Sequence, residues 1–100
     1  MKHPASVSHE KVLIQKLRKD REFAIEYLKA ALEDTEEPRV LLIVLRHIAE
    51  ARGGIAKVAK AAGIERESLY RALSARGNPH VSMLVAVMKA IGLKLTVEAA

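Results

Sequence analysis

A short segment near the middle of the chain, IAKVAKAAGIERESLYRAL at residues 55–73, brings together side chains that could recognise DNA. Four of its polar residues are predicted to face away from the core and to contact base edges: Arg66, Glu67, Ser68 and Arg71. A guanidinium can donate to guanine O6 and N7, and a carboxylate can accept from cytosine N4. The alternative is a solvated face on which Arg71 pairs with Glu67 and Glu67 favours the helix N-terminus.

The spacing of small and apolar residues predicts the helix-turn-helix that would position these side chains. Ala59 allows a second helix to approach closely, and Gly63 can adopt the positive φ of a sharp turn. Ile64 then fills the space between the helices. The inner face of the second helix is predicted from helical spacing to consist of Leu69, Ala72 and Leu73. In a DNA-binding helix-turn-helix the second helix enters the major groove, although similar corners also occur in proteins that do not bind DNA.

A second group is predicted to hold phosphates, which fixes the register on DNA without reading sequence. It consists of Lys57, Lys60, Tyr70, Arg76 and Asn78. Tyr70 could instead support the edge of the core. The net charge of +5 favours a polyanionic partner, because residues 53–100 contain seven Lys and Arg against three Asp and Glu. Residues 1–52 contain ten against nine.

Composition predicts one all-α domain, and the apolar periodicity along the chain predicts about five to six helices. The chain has 100 residues, half of them hydrophobic, with one Phe, two Tyr and no Trp. It has no cysteine, and its four histidines lack the spacing of metal ligands, so we expect neither a metal nor a cofactor. No nucleophile has an activating base and no carboxylate pair suggests acid-base catalysis, so we expect no enzyme activity. Because the longest apolar run, Val40 to Leu45, is too short to cross a bilayer, we expect a cytoplasmic protein without membrane contact.

The chain is predicted to divide into a loose arm at residues 1–7, N-terminal helices at 8–53, a helix-turn-helix core at 54–92 and a strand or tail at 93–100. Ser8 and Asp20 are predicted to cap the first two helices, and Thr35 the third. The first helix is expected to bury Val12, Leu13 and Leu17. The second is expected to bury Phe23, Ala24, Tyr27, Leu28, Ala31 and Leu32.

The later elements are predicted from the same patterns. Residues Arg39 to Arg52 are apolar on more than one face, which predicts a central helix that Gly53 and Gly54 terminate. A last helix at about residues 81–91 is expected to bury Val81, Leu84, Val85, Met88 and Ile91. The sequence LKLTVE at residues 93–98 alternates like a strand and could pair with a second copy, or it could be a frayed tail.

The stretch from Asp20 to Val97 resembles the HigA-like antitoxins, also called addiction-module antidote proteins, of the phage-repressor-like helix-turn-helix class. The resemblance rests on ERESLYRAL, then GNP, then a helix that ends in IGLKLTV. It also includes EYL and AAL, an acidic connector, and a long helix that ends in ARGG. One departure is that Ile55 and Ala56 stand where many repressors of this class have a polar residue that binds a phosphate.

The resemblance implies a homodimer that binds an inverted-repeat operator in double-stranded DNA, represses its own promoter and neutralises a RelE-like RNA-cleaving toxin. The candidate toxin contacts are the acidic residues Glu33, Asp34, Glu36 and Glu37, which could attract a basic protein. The alternative interpretation, which the residue types favour, is a solvated loop and helix cap, and exposed apolar residues of the N-terminal helices are another candidate surface for the toxin. Two other functions remain open, namely a stand-alone repressor and a helical protein-binding adaptor.

Overall fold

The computed structural model describes residues 4–34 and 36–100, and this part of the chain folds into α-helices without a strand. The helices are α1 (Pro4–Lys19), α2 (Arg21–Glu33), α3 (Arg39–Ala51), α4 (Ile55–Ala62), α5 (Arg66–Ala72) and α6 (Val81–Ala90). The prediction of an all-α fold with about five to six helices is therefore confirmed. Among the described residues, no helix combines the length and the apolarity that a bilayer span requires.

The N-terminal boundary differs from the predicted one. Helix α1 begins at Pro4, so Ser8 lies inside the helix instead of capping it, and residues 4–7 do not form a loose arm. A proline is well suited to a first helical turn, because that turn leaves its N–H groups without intrahelical partners. Residues 1–3 of the expected arm, and the expected cap at Thr35, lie outside the described residues.

Helices α1 and α2 pack against each other and against α3. The predicted cap at Asp20 is confirmed, because its carboxylate accepts a hydrogen bond from the Phe23 amide at 3.0 Å. Leu17 is completely buried, whereas Val12 is 64% exposed, so the prediction for Val12 was wrong. The inner face of α1 consists of Leu13, Ile14 and Leu17 instead.

Helix α3 is the central helix of the fold, as its apolar sequence predicts. It contacts α1 and α2 and leads into α4. Its buried residues are Leu42, Val44, Leu45, Ile48, Ala49 and Ala51. Ile43 remains 47% exposed, so α3 is covered on most of its circumference but not on all of it.

Aromatic side chains connect α2 to α3. The Phe23 and Tyr27 rings stack at 6.0 Å between centroids, and the Tyr27 and His47 rings stack at 6.2 Å. The Tyr27 hydroxyl lies 2.9 Å from Nδ1 of His47, within hydrogen-bond distance. Burial raises the pKa of Tyr27 above its ordinary value of 10.0, because the phenolate would lose solvation there.

Helix α6 packs against α4 with a face that differs from the predicted one. Its inner face consists of Leu84, Val87, Met88 and Ile91, which follow helical spacing. Val81 and Val85 were wrongly predicted to be buried, since they are 74% and 43% exposed. On α2, Leu32 was also wrongly predicted to be buried and is 44% exposed. Residues 93–100 form neither helix nor strand in the single chain.

Two arginines connect the N-terminal helices to the C-terminal ends of other helices. Nε of Arg18 donates to the Ala51 carbonyl at 3.3 Å, at the end of α3. Nη2 of Arg21 donates to the Gly92 carbonyl at 2.7 Å, just after α6. The Ala51 carbonyl is one of those that a helix leaves without an intrahelical partner at its C-terminal end. These contacts attach α1 to the end of α3, and α2 to the turn that follows α6.

Candidate nucleic-acid interface

Helices α4 and α5 form the predicted helix-turn-helix. The two helices contact each other, and Ala59 of α4 is 1% exposed, so a larger side chain at this position would disturb the packing of α4. Gly63 ends α4 with φ of +72°, and the Ile64 amide donates to the Ala59 carbonyl at 2.9 Å. Ile64 is half-buried against the core. The turn therefore lies where the sequence predicted it, and α5 begins three residues after Gly63.

Helix α5 has one buried side and one exposed side. Leu69 and Leu73 are 0% and 1% exposed, and they fix the rotation of the helix about its axis. Arg66, Glu67 and Arg71 consequently lie on the exposed side. The structure thus places three of the four predicted base-reading residues on a single accessible surface, together with the exposed Tyr70.

On this surface Glu67 pairs with Arg66 and not with Arg71, which was the alternative considered from the sequence. Nη1 of Arg66 lies 3.7 Å from the Glu67 carboxylate, and both side chains are well exposed. Among the described residues, Arg71 makes no ion pair within 4.0 Å. Surface pairs such as Arg66 with Glu67 contribute about 0–1 kcal/mol and open readily. The Arg71 guanidinium can therefore bind a ligand without first giving up an intramolecular partner.

Ser68 is less accessible than the other three predicted readers. It is half-buried, and its hydroxyl lies 3.3 Å from a carboxylate oxygen of Glu65, within hydrogen-bond distance. Glu65 occupies the N-cap position of α5. The Ser68 hydroxyl thus has a partner in the first turn of its own helix.

The residues predicted to hold phosphates are also exposed. Lys57 and Lys60 lie on α4, and Arg76 and Asn78 lie between α5 and α6. Gly77 shapes this connection, because a Cβ atom at Gly77 would collide with backbone atoms at the end of α5. The geometry keeps Arg76 and Asn78 on a tightly folded loop next to the exposed helix.

Tyr70 has an interaction that the sequence did not reveal. Its side chain is 51% exposed, and the Arg46 guanidinium carbon lies 4.9 Å from the centre of its ring. An arginine over an aromatic face gains about 0.5–1 kcal/mol at an exposed site. Arg46 belongs to α3 and lies 24 residues before Tyr70, too far apart for any helical spacing to relate them. A stacked arginine beside α5 is the residue that sequence reasoning missed.

The four acidic residues proposed as toxin contacts are exposed at the end of α2 and in the connection to α3. Glu33 ends α2, and Asp34 caps it by donating its amide to the Ala31 carbonyl. Glu36 is exposed, and Oε1 of Glu37 accepts a hydrogen bond from Nε of Arg39 at 3.3 Å. The group is accessible, but part of its charge is neutralised by a neighbouring arginine. Among the described residues, no cluster of three His, Asp or Glu side chains could hold a metal ion.

Comparisons with known proteins place these features in a family. A curated protein of Haemophilus influenzae Rd, described as an uncharacterized protein, is 40% identical over 72 residues, which are 72% of each chain. No solved structure matches the chain significantly. Residues 9–99 match a family described as "Probable addiction module antidote protein". This match includes α2 to α6 entirely, and the chain belongs to the family of probable addiction module antidote proteins.

Proposed function

We propose that this antidote-family chain is a DNA-binding antitoxin of the HigA-like type, which represses its own promoter and neutralises a RelE-like RNA-cleaving toxin. Family membership suggests an antitoxin role, a toxin partner and a non-enzymatic regulatory protein. The observation that carries the DNA-binding part is the orientation of α5, which buries Leu69 and leaves Arg71 exposed without an ion pair among the described residues. That orientation is the one a recognition helix needs.

The proposed complex is a homodimer on an inverted repeat. One short helix contacts too few base pairs to select a site in a genome, so two recognition helices are needed. In a dimer they would enter successive major grooves about 34 Å apart. Arg66, Glu67 and Arg71 would contact bases, and Ser68 would act at the edge of the same surface.

Phosphate contacts would surround the base-reading helix. Lys57 and Lys60 would approach the backbone from α4, and Arg76 and Asn78 from the loop after α5. We add Arg46 to this group, because its position over Tyr70 extends the positive charge from α5 to α3. The stacking restricts the guanidinium before DNA arrives, which reduces the entropy lost on binding.

The toxin-binding part of the proposal rests on a different surface. Glu33, Asp34, Glu36 and Glu37 are exposed and could dock against a basic toxin by charge complementarity. A second candidate is the apolar surface of α1, where Val12 is 64% exposed. Both surfaces lie outside the helix-turn-helix, so toxin and DNA could be bound by different parts of the chain. The cytoplasmic location expected from the sequence stays a prediction.

Salt dependence tests the DNA-binding part. A dimer that contacts about six to eight phosphates should bind a duplex from upstream of its own gene with a log-log salt slope of about −5 to −7. A protein-binding adaptor would give no such slope. Fluorescence anisotropy over a range of salt concentrations measures this directly, and a scrambled duplex of equal length is the control.

Co-expression distinguishes an antitoxin from a stand-alone repressor with the same fold. If the neighbouring gene encodes a small protein that stops growth only without this chain, the antitoxin proposal is supported. A neighbouring product that is harmless in both conditions would leave the repressor as the better account.

A further inference from the structure

The C-terminal segment, residues 93–98, leaves the backbone N–H and C=O groups of residues 94–98 unpaired within the part of the chain that the structure describes. The Leu93 amide donates to the Met88 carbonyl at 2.9 Å and closes the turn after α6. From Lys94 onwards, no backbone hydrogen bond is formed within the described part of the chain. An extended segment of this kind exposes a row of donors and acceptors that another strand can pair with.

The first residue of this segment packs against the helices, whereas its last residues are exposed. Leu93 is half-buried against the core, and Leu95 is 44% exposed. Leu95 borders a small apolar cavity of about 40 Å³ between α2, α3 and α6, which Leu32 and Leu84 also line. Val97 is 98% exposed. The apolar residues of the alternating sequence therefore run from a packed position to a fully exposed one.

Two copies of the segment have complementary side chains when they pair in one particular antiparallel register. When two copies are paired around a two-fold axis through Thr96, Lys94 of each copy lies opposite Glu98 of the other. Leu95 lies opposite Val97 on the other face. Opposite charges and apolar pairs directly across a sheet both stabilise the pairing.

Other two-fold registers lack this match. An axis through Lys94 would place the two Lys94 side chains opposite each other, and like charges in that position are destabilising. An axis through Leu95 would place Lys94 opposite Thr96 and Glu98 opposite Gly92. Only the Thr96 axis pairs the charged residues with each other and the apolar residues with each other.

We propose that residues 93–98 of two copies form an antiparallel two-stranded ribbon centred on Thr96, and that this ribbon joins the dimer. The inference deepens the proposed function, because it identifies the surface that holds the two DNA-binding units together. A two-stranded ribbon is marginal alone, but its Leu95 side packs on α2 and α6 of each body. The exposed Leu32 lies beside this site and becomes covered when Val97 of the second copy arrives.

The strength of dimerisation in the absence of DNA, measured for variants with reversed charges at Lys94 and Glu98, tests the proposed strand register. In the Lys94→Glu variant, the new glutamate of each copy faces Glu98 of the other copy, so the dimer contains two repulsive pairs. In the Glu98→Lys variant, the new lysine of each copy faces Lys94 of the other copy in the same way. We expect each single variant to weaken dimerisation roughly tenfold and the double variant to restore it. Lys19→Glu on α1 is the control, because it changes the net charge equally outside the segment. Sedimentation equilibrium gives the dissociation constants.

Cysteine cross-linking gives an independent test, because the chain has no cysteine of its own. Two Thr96→Cys residues would face each other within disulfide distance. Two Lys94→Cys residues would be separated by about 14 Å along the ribbon and would not cross-link. Rapid cross-linking of Thr96→Cys but not Lys94→Cys is the expected result.

Three outcomes would overturn the inference. A dimer that is unaffected by Lys94→Glu and does not cross-link at Thr96→Cys would use another surface, and the DNA-binding proposal would stand. A charge-reversed double variant that stays as weak as the single variants would exclude this register. A chain that stays monomeric alone and pairs residues 93–98 only with a toxin would assign the segment to that partner.

Discussion

Substitution of Arg71 by alanine should weaken specific DNA binding without changing the stability of the fold. The guanidinium is exposed and makes no ion pair among the described residues, so Arg71→Ala should change the free energy of unfolding by no more than about 0.5 kcal/mol. A bidentate contact between arginine and guanine contributes about 1–3 kcal/mol of specific binding. Because the proposed homodimer contains two copies of Arg71, this corresponds to roughly a 5- to 150-fold larger dissociation constant for each half-site of the operator.

The assay for Arg71→Ala compares a specific duplex with a nonspecific one. Fluorescence anisotropy should show the full loss on the operator and little change on random DNA, and selection from a randomised duplex should show one relaxed base position. Lys29→Ala, which removes a positive charge from an exposed position on α2, is the matched control and should bind the operator normally. An Arg71→Ala variant that binds the operator as tightly as the parent would refute our assignment of the reading face.

Further predictions concern the turn, the core, the aromatic cluster and the stacked arginine. Gly63→Ala should lower the free energy of unfolding in urea by about 1 kcal/mol, because φ is +72° but space for a Cβ is available. Leu69→Ala should lower it by about 2–5 kcal/mol, because the side chain is completely buried. Stability should decrease as pH rises above 10.0, because Tyr27 ionises there in the unfolded chain and only at higher pH when folded, and Tyr27→Phe should weaken this dependence. Arg46→Ala should reduce the magnitude of the log-log salt slope of DNA binding by about 1 per subunit. Chemical denaturation across pH and salt-dependent anisotropy measure these effects, and unchanged values would contradict the corresponding contacts.

Local sequence signals predicted the helix-turn-helix well, because its constraints come from neighbouring residues. A small residue, a glycine and an apolar residue at fixed spacing leave few alternatives to a tight turn. The structure places Ala59, Gly63 and Leu69 as this spacing requires. Asp20 was predictable for the same reason, because a cap acts on its own first turn.

Features that depend on distant elements were predicted less well. Helix α6 is apolar on several sides, so its periodicity could not determine whether Val85 or Val87 lies inside. The position of α4 against α6 determines it, and Val87 is the buried residue. Arg46 was missed because its aromatic partner is on another helix. The start of α1 at Pro4 was missed because no periodic apolar pattern marks the first turn.

Mapping the DNA-contacting surface by NMR shows whether the exposed side of α5 enters a DNA groove. Isotope-labelled protein titrated with the operator duplex would report, residue by residue, which backbone amides change their NMR chemical shift. We expect the largest changes on residues 65–71, with smaller changes at Lys57, Lys60 and residues 76–78. Changes confined to α1 and α2, or no saturable changes at all, would contradict the claim that the exposed side of α5 enters a DNA groove.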